Sequence, residues 1–141
     1  MKILLVEDNP ADVALFQQVV ADAANIDVAR NGAEALDRVF RRGKFHSEPV
    51  PDLIVLDLNT PLLNGHEVLN VLKANSQTKS APVVIWSGSD NPEDVRRAFE
   101  LGCSAYMIKA ISLEHTEARL KAFTTFWVEN AAYPTILNAT A

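Results

Sequence analysis

The chain has 141 residues, of which 48% are hydrophobic and 22% charged, a composition typical of one globular domain. The formal net charge of −5 argues against a general nucleic-acid binder, because such a protein needs a basic surface. A single cysteine excludes an internal disulfide, and the apolar run after the first lysine is too short for a signal peptide or a membrane span, so we expect a cytoplasmic protein without DNA or membrane partners.

Short apolar runs alternate with longer amphipathic runs along the chain. The short runs, rich in β-branched residues, predict strands at 2–6, 26–29, 53–58, 83–87 and 105–109. Apolar residues spaced three and four apart predict helices at 10–20, 32–42, 66–74, 92–101 and 113–130. This alternation predicts an α/β domain over residues 1–130, a doubly wound five-stranded parallel sheet with five helices, and leaves residues 131–141 as a C-terminal tail.

Polar side chains stand where four of the predicted strands end. They are Glu7, Asp8, Asp57, Ser87 and Lys109. In parallel α/β sheets, ligands bind beyond the carboxyl ends of the strands, so we expect these side chains to lie close together. Two carboxylates a few ångströms apart repel each other by roughly 4 kcal/mol at an effective dielectric constant of about 20. A cation would offset this repulsion, and an all-oxygen ligand set favours Mg²⁺.

The same residues suit a phosphoryl group. A Mg²⁺ ion, the ammonium of Lys109 and the hydroxyl of Ser87 would together contact phosphoryl oxygens. One carboxylate must stay free as a nucleophile, and Asp57 is the best candidate, because Glu7 and Asp8 are adjacent and can share the metal. Each feature alone is common in solvated turns and helix caps, and their joint placement at strand ends favours a functional site.

Four segments, in this order and spacing, resemble the receiver domain of two-component response regulators. They are LLVEDNPAD, LIVLDLNTPLLNG, VVIWSGSD and AYMIKA, and the resemblance extends from residue 2 to about residue 127. It implies a flavodoxin-like fold and a sensor histidine kinase that phosphorylates Asp57. Signalling would then occur through changed protein contacts. Such a protein is not an enzyme in the usual sense, since it catalyses only its own phosphoryl transfer and hydrolysis.

The resemblance also assigns roles at the site. It implies that Glu7 and Asp8 hold Mg²⁺ with Asp57, and that the backbone carbonyl of Asn59 is a further ligand. Ser87 and Lys109 would contact the phosphoryl oxygens. An aromatic switch, Tyr106, would move inward when Ser87 is drawn to the phosphate.

A narrower resemblance points to the single-domain regulators that pair with phytochrome-type histidine kinases. It rests on VEDNPAD, on the long loop RRGKFHSEPVPDLIVLDLN and on FWVENAAYP near the end of the chain. The chain departs from the receiver pattern after Lys109, where most receivers have a proline in a cis peptide bond and this chain has Ala110. A cis bond before alanine would cost about 2.5–4 kcal/mol, so the Lys109–Ala110 bond is either strained or trans.

Two other functions stay open. A Mg²⁺-dependent phosphohydrolase also uses an aspartate nucleophile, but it needs a second aspartate two residues later, where this chain has Asn59. A pseudo-receiver would bind partners without phosphorylation. The presence of Asp57, the acid pair and Lys109 argues against this function.

The fifth predicted helix carries two apolar faces. One consists of Leu113, Leu120, Phe123 and Trp127, and we expect it to face the sheet. The other consists of Ala118, Ala122 and Phe126, and the tail adds the apolar residues Tyr133, Ile136 and Leu137. A second face suggests a partner surface, and we predict a homodimer in which this helix, its neighbouring strand and the tail form the interface.

Overall fold

The computed structural model describes residues 1–134, which form one parallel sheet covered by helices on both faces. The strands are β1 (Lys2–Val6), β2 (Asn25–Ala29), β3 (Leu53–Leu56), β4 (Val83–Ser87) and β5 (Ala105–Ile108). The helices are α1 (Pro10–Val20), α2 (Gly32–Val39), α3 (Gly65–Ala74), α4 (Pro92–Leu101) and α5 (Leu113–Phe123). The strand order β2-β1-β3-β4-β5 confirms the predicted doubly wound fold.

Alternating side chains of the strands fill two cores, one on each face of the sheet. Leu4 and Val6 of β1 point into the core that α2, α3 and α4 cover. Ile3 and Leu5 point into the opposite core, which α1 and α5 cover. In that second core the rings of Phe16 and Trp86 lie 5.6 Å apart. Because both faces are covered, the strands read as nearly continuous apolar runs in the sequence.

Several predicted boundaries shift. The second predicted helix ends at Val39 rather than at residue 42, since the backbone enters the left-handed region at Arg41 (φ 57°) and Gly43 (φ 55°). The third and fifth strands end at Leu56 and Ile108, because the residues after them turn away into loops.

The fifth helix departs most from its prediction. It ends at Phe123 and continues as a π-helical turn over Thr124–Val128. The hydroxyl of Thr124 donates to the carbonyl of Leu120 at 2.9 Å, a contact that is known to distort helices. Leu113 is 68% exposed rather than buried, because it is the first residue of the helix and lies beyond the last strand.

The segment after α5 folds back onto the domain. Tyr133 is half-buried against the core beneath α1 and α5, and its hydroxyl donates to the Trp127 carbonyl. Burial and the nearby Asp52 carboxylate raise the pKa of Tyr133 to about 12. The other two tail residues of the predicted interface, Ile136 and Leu137, lie outside the described residues. Within residues 1–134, no helix has the length and apolar character that a membrane span requires.

Candidate functional site

Three carboxylates meet at the carboxyl end of the sheet. Glu7 and Asp8 follow β1, and Asp57 follows β3 in the neighbouring position of the sheet. Each offers a carboxylate oxygen, and these oxygens all lie within 4.8 Å of one another. Glu7 and Asp57 are buried, whereas Asp8 is exposed. The predicted acids therefore converge, with one of them open to solvent.

Lys109 brings the positive charge of the site from the end of β5. Its ammonium donates to Glu7 Oε2 at 2.6 Å and to Asp12 Oδ2 at 2.9 Å, and lies 3.8 Å from Asp57 Oδ1. The ammonium also lies 4.8 Å from the centroid of the Trp86 ring. The Lys109–Ala110 peptide bond is trans, which settles the alternative that the sequence left open.

Burial dominates the electrostatics of the two buried acids. It raises the pKa of Glu7 to about 7, although the hydrogen bond from Lys109 opposes the shift. Burial also raises the pKa of Asp57, while Lys109 and the backbone amides of Leu58 and Asn59 act in the opposite direction. Burial alone would lower the pKa of Lys109, but its hydrogen bonds to the carboxylates raise that pKa overall.

Two glycines, Gly32 and Gly65, allow close backbone approaches to the loop between β3 and α3. The Gly65 amide donates to the Leu58 carbonyl at 3.0 Å, and a Cβ atom at Gly65 would lie 2.5 Å from the Asp57 carbonyl oxygen. On the other side, a Cβ atom at Gly32 would lie 2.2 Å from the Leu63 carbonyl oxygen. Both distances are too short for any side chain, so the backbone approaches at these points require glycine.

Ser87, the last residue of β4, lies close to Tyr106 on the neighbouring strand β5. Ser87 is fully buried, and its hydroxyl oxygen accepts the Ser89 backbone amide at 3.1 Å. The Tyr106 hydroxyl donates to the Ser89 carbonyl at 2.8 Å. Burial raises the pKa of Tyr106, and hydrogen bonds with Ser87 and Ser89 partly offset that rise. The two residues to which the resemblance assigns a switch thus both form hydrogen bonds with the backbone of Ser89.

Asp12 is the site residue that sequence reasoning missed. From its position in the sequence, Asp12 is an acid in the first turn of a predicted helix, where a negative charge is favourable, and nothing local indicates a further role. The structure brings its carboxylate onto Lys109, far along the chain. A signal was available, because α1 begins at the same edge of the sheet as Glu7 and Asp8, so its first turn lies beside the site.

The site fits a hard divalent cation. Three carboxylates within 4.8 Å provide oxygen ligands, and a single lysine leaves their combined negative charge uncompensated. A bound cation would favour the charged forms of Glu7 and Asp57, whose raised pKa values reflect the cost of burying negative charge. Glu7, Asp8 and Asp57 are the side chains that could hold such a cation.

Comparisons with known proteins agree with the site. Residues 3–121 match the family model of the response regulator receiver domain. Response regulator Rcp1 of Synechocystis sp. is 35% identical over 135 residues, which cover 94% of this chain and 92% of Rcp1. The phosphorylated cyanobacterial phytochrome response regulator RcpA has a TM-score of 0.92 at 35% identity, covering 95% of this chain and 98% of its own. The Mn²⁺-bound form of Rcp1 has a TM-score of 0.92 at 34% identity, covering 95% and 99%.

Proposed function

Because the chain belongs to the response regulator receiver domain family, we propose that it accepts a phosphoryl group on Asp57 from a sensor histidine kinase. The observation that carries this proposal is the meeting of the buried Asp57 with two further carboxylates and Lys109 at one sheet edge. Phosphorylation of an aspartate is the general mechanism of receivers. The site provides one such aspartate, Asp57, with the ammonium of Lys109 beside it.

Each side chain has a distinct task in this reaction. A carboxylate oxygen of Asp57 forms the new bond to phosphorus, while the bond from phosphorus to the donor nitrogen breaks and the electron pair leaves with the donor. Lys109, 3.8 Å from Asp57, would neutralise charge on the phosphoryl oxygens. Ser87 would donate its hydroxyl to another of these oxygens.

We propose that Mg²⁺ is the resident metal. It would be held by Glu7, Asp8 and Asp57, with the backbone carbonyl of Asn59 as a further ligand. When bound, it would supply charge neutralisation to the transferring phosphoryl group. The Mn²⁺-bound form of Rcp1 supports this choice, because Mn²⁺ and Mg²⁺ share a preference for oxygen ligands.

The output would be a change in protein contacts, started by Ser87 and Tyr106. Drawing the Ser87 hydroxyl to the phosphate would end its bond with the Ser89 amide. Because Tyr106 is anchored on the carbonyl of the same Ser89, the ring would respond to that movement.

The phosphoacceptor is tested with acetyl phosphate and Mg²⁺, followed by intact mass. The wild-type protein should gain one phosphoryl group, and Asp57→Asn should gain none, because an amide is not a nucleophile of this kind. Undiminished labelling of Asp57→Asn would overturn the assignment. Turnover of small phosphomonoesters would instead indicate the phosphohydrolase alternative, and unchanged partner binding without phosphorylation would indicate a pseudo-receiver.

A phytochrome-type histidine kinase is the partner that we propose. The support is the name of RcpA, a phytochrome response regulator that shares 35% identity with this chain. A kinase of this kind uses ATP, so the proposed pair would work in the cytoplasm. Phosphotransfer profiling should show the fastest transfer from a phytochrome-type kinase, and faster transfer from an unrelated kinase would contradict the pairing.

We also propose a homodimer built on the open edge of the sheet. A groove of about 470 Å³ runs between the edge strand β5 and α5. Phe126 at this groove is 56% exposed, and Ala118 and Ala122 of the second apolar face are exposed too. Tyr133 contributes less than the sequence suggested, since it packs against its own domain.

The dimer is tested by light scattering on matched variants. Phe126→Glu should dissociate it, because a charge would be buried in an apolar contact. Leu113→Glu is the control, since Leu113 is 68% exposed on the same helix and lies outside the groove. A monomeric wild type, or equal dissociation by both variants, would contradict this interface.

A further inference from the structure

Lys109 has two carboxylate partners of different kinds. Glu7, at 2.6 Å, is 1% exposed and belongs to the acid cluster that fits a metal. Asp12, at 2.9 Å, is 27% exposed and lies on the first turn of α1, outside that cluster. An ammonium has three N–H donors, so two are engaged by these acids and the third remains for Asp57 at 3.8 Å.

A bound metal would treat the two partners differently. Negative charge on Glu7 would be shared between the cation and Lys109, which weakens the attraction between Glu7 and the ammonium. Asp12 would keep its full charge for Lys109, because it is not among the acids that can reach the metal. Asp12 is therefore the partner on which Lys109 depends once the site is loaded.

We infer that Asp12 is a positioning residue, which holds the Lys109 ammonium beside Asp57 during phosphoryl transfer. This inference rests on the proposed function, and it gives α1 an indirect part in the reaction through the contact of Asp12 with Lys109, the residue that follows β5. Asp12 does not touch the reacting atoms, so its effect passes through Lys109.

The first test needs no phosphoryl group. The Lys109 side-chain ammonium is followed by nitrogen NMR in protein saturated with Mg²⁺, with and without Asp12→Asn. Loss of one charge-assisted hydrogen bond should speed exchange of the ammonium protons with water by about tenfold. Asp12→Glu should restore much of the protection, because it returns the charge. An unchanged exchange rate in Asp12→Asn would overturn the inference.

The second test measures the rate of phosphorylation by acetyl phosphate at saturating Mg²⁺. Asp12→Asn should lower the rate by about three- to tenfold, which corresponds to part of one charge-assisted hydrogen bond. In a Lys109→Met background the same substitution should change the rate by less than about twofold, because coupled residues are not additive. An equal loss in both backgrounds would show that Asp12 acts on the metal or the donor instead.

Asp90→Asn is the matched control. Asp90 is an exposed acid that follows β4 at the same sheet edge, and its carboxylate is not among the ion-pair partners of Lys109 in the described part of the chain. Asp90→Asn should leave both the ammonium exchange rate and the phosphorylation rate unchanged. Changes equal to those of Asp12→Asn would show that the loss of any negative charge near the site has this effect, and would contradict a specific role of Asp12. A wild-type protein that takes up no phosphoryl group would overturn the proposed function, while the exchange measurement still judges the Asp12 contact.

Discussion

Charged side chains gather at both ends of the sheet, and the two groups differ in burial and balance. At the amino end, Lys2 pairs with Asp27 at 2.7 Å and Arg38 pairs with Glu48 at 3.0 Å. These four side chains are 18–35% exposed. At the carboxyl end, Glu7 is 1% and Asp57 7% exposed, and Lys109 faces more carboxylates than it can neutralise.

This difference in burial and charge balance indicates that the amino-end pairs have a structural role and that the carboxyl-end acids form a functional site. Partly exposed pairs of opposite charge cost little to form and contribute little, because water screens both partners. Buried carboxylates in excess of cations cost free energy, and a fold retains them where a ligand supplies the missing charge. The amino-end cluster should therefore respond weakly to mutation, pH and metal, and the carboxyl-end cluster strongly.

The largest effect should come from Glu7 in metal-free protein. Its pKa is 4.5 when unfolded and about 7 when folded, so the folded state holds a proton that the unfolded state has already released. The stability that this proton confers is complete below pH 4.5 and is lost as pH rises through about 7, by about 3 kcal/mol. Urea unfolding in chelator should show this fall, which the raised pKa of Asp57 strengthens.

Glu7→Gln isolates the contribution of Glu7 from all other titrating groups. The variant should lose most of the fall in unfolding free energy, because an amide does not titrate. Mg²⁺ added at about pH 8 should restore stability to the wild type, since it favours the charged acids. An identical pH slope in the two proteins would place the titration elsewhere.

A smaller effect is expected for Asp8→Ala, which removes the exposed member of the acid cluster. Loss of one oxygen ligand and one charge should weaken Mg²⁺ binding by at least about tenfold. Calorimetric titration measures the affinity, and Asp90→Ala serves as a control for loss of an exposed acid at the same edge. Unchanged Mg²⁺ affinity in Asp8→Ala would move the metal away from this cluster.

The smallest effect belongs to the amino end. Asp27→Asn removes the charge that pairs with Lys2, and it should lower the free energy of unfolding by less than about 1 kcal/mol. The loss should not depend on Mg²⁺, and phosphorylation should be unchanged. A loss above about 2 kcal/mol, or one that Mg²⁺ reverses, would remove the contrast between the two ends.

The sequence predicted the sheet because its signals are local. Apolar runs, helix starts and their alternation depend on neighbouring residues, and parallel strands then bring their carboxyl ends together. Strand alternation alone therefore predicts that Asp57 and Lys109 lie at one edge of the sheet, as they do. The isomer of the Lys109–Ala110 peptide bond was not predictable. Alanine favours a trans bond, whereas most receivers have a cis bond at this position.

Side-chain partners across the chain escaped prediction for a different reason. The predicted start of α1 places Asp12 near the site, but its partner Lys109 lies 97 residues further along the chain, and no local pattern pairs the two. The exposure of Leu113 depends on where β5 ends relative to α5, and apolar spacing alone put Leu113 in the buried stripe. Such features follow from tertiary packing, which local patterns do not encode.

The two glycines beside the β3–α3 loop limit how this protein can change over generations of mutation. A methyl group at Gly32 or Gly65 would meet backbone atoms of the loop, which cannot rotate aside as a side chain would. The tip of the same loop is open, since Leu62 is 77% exposed. Variation can therefore accumulate at the exposed tip, while the base of the loop next to Asp57 stays fixed. Gly32 and Gly65 carry no reactive group, yet they restrict which substitutions are compatible with the position of Asp57.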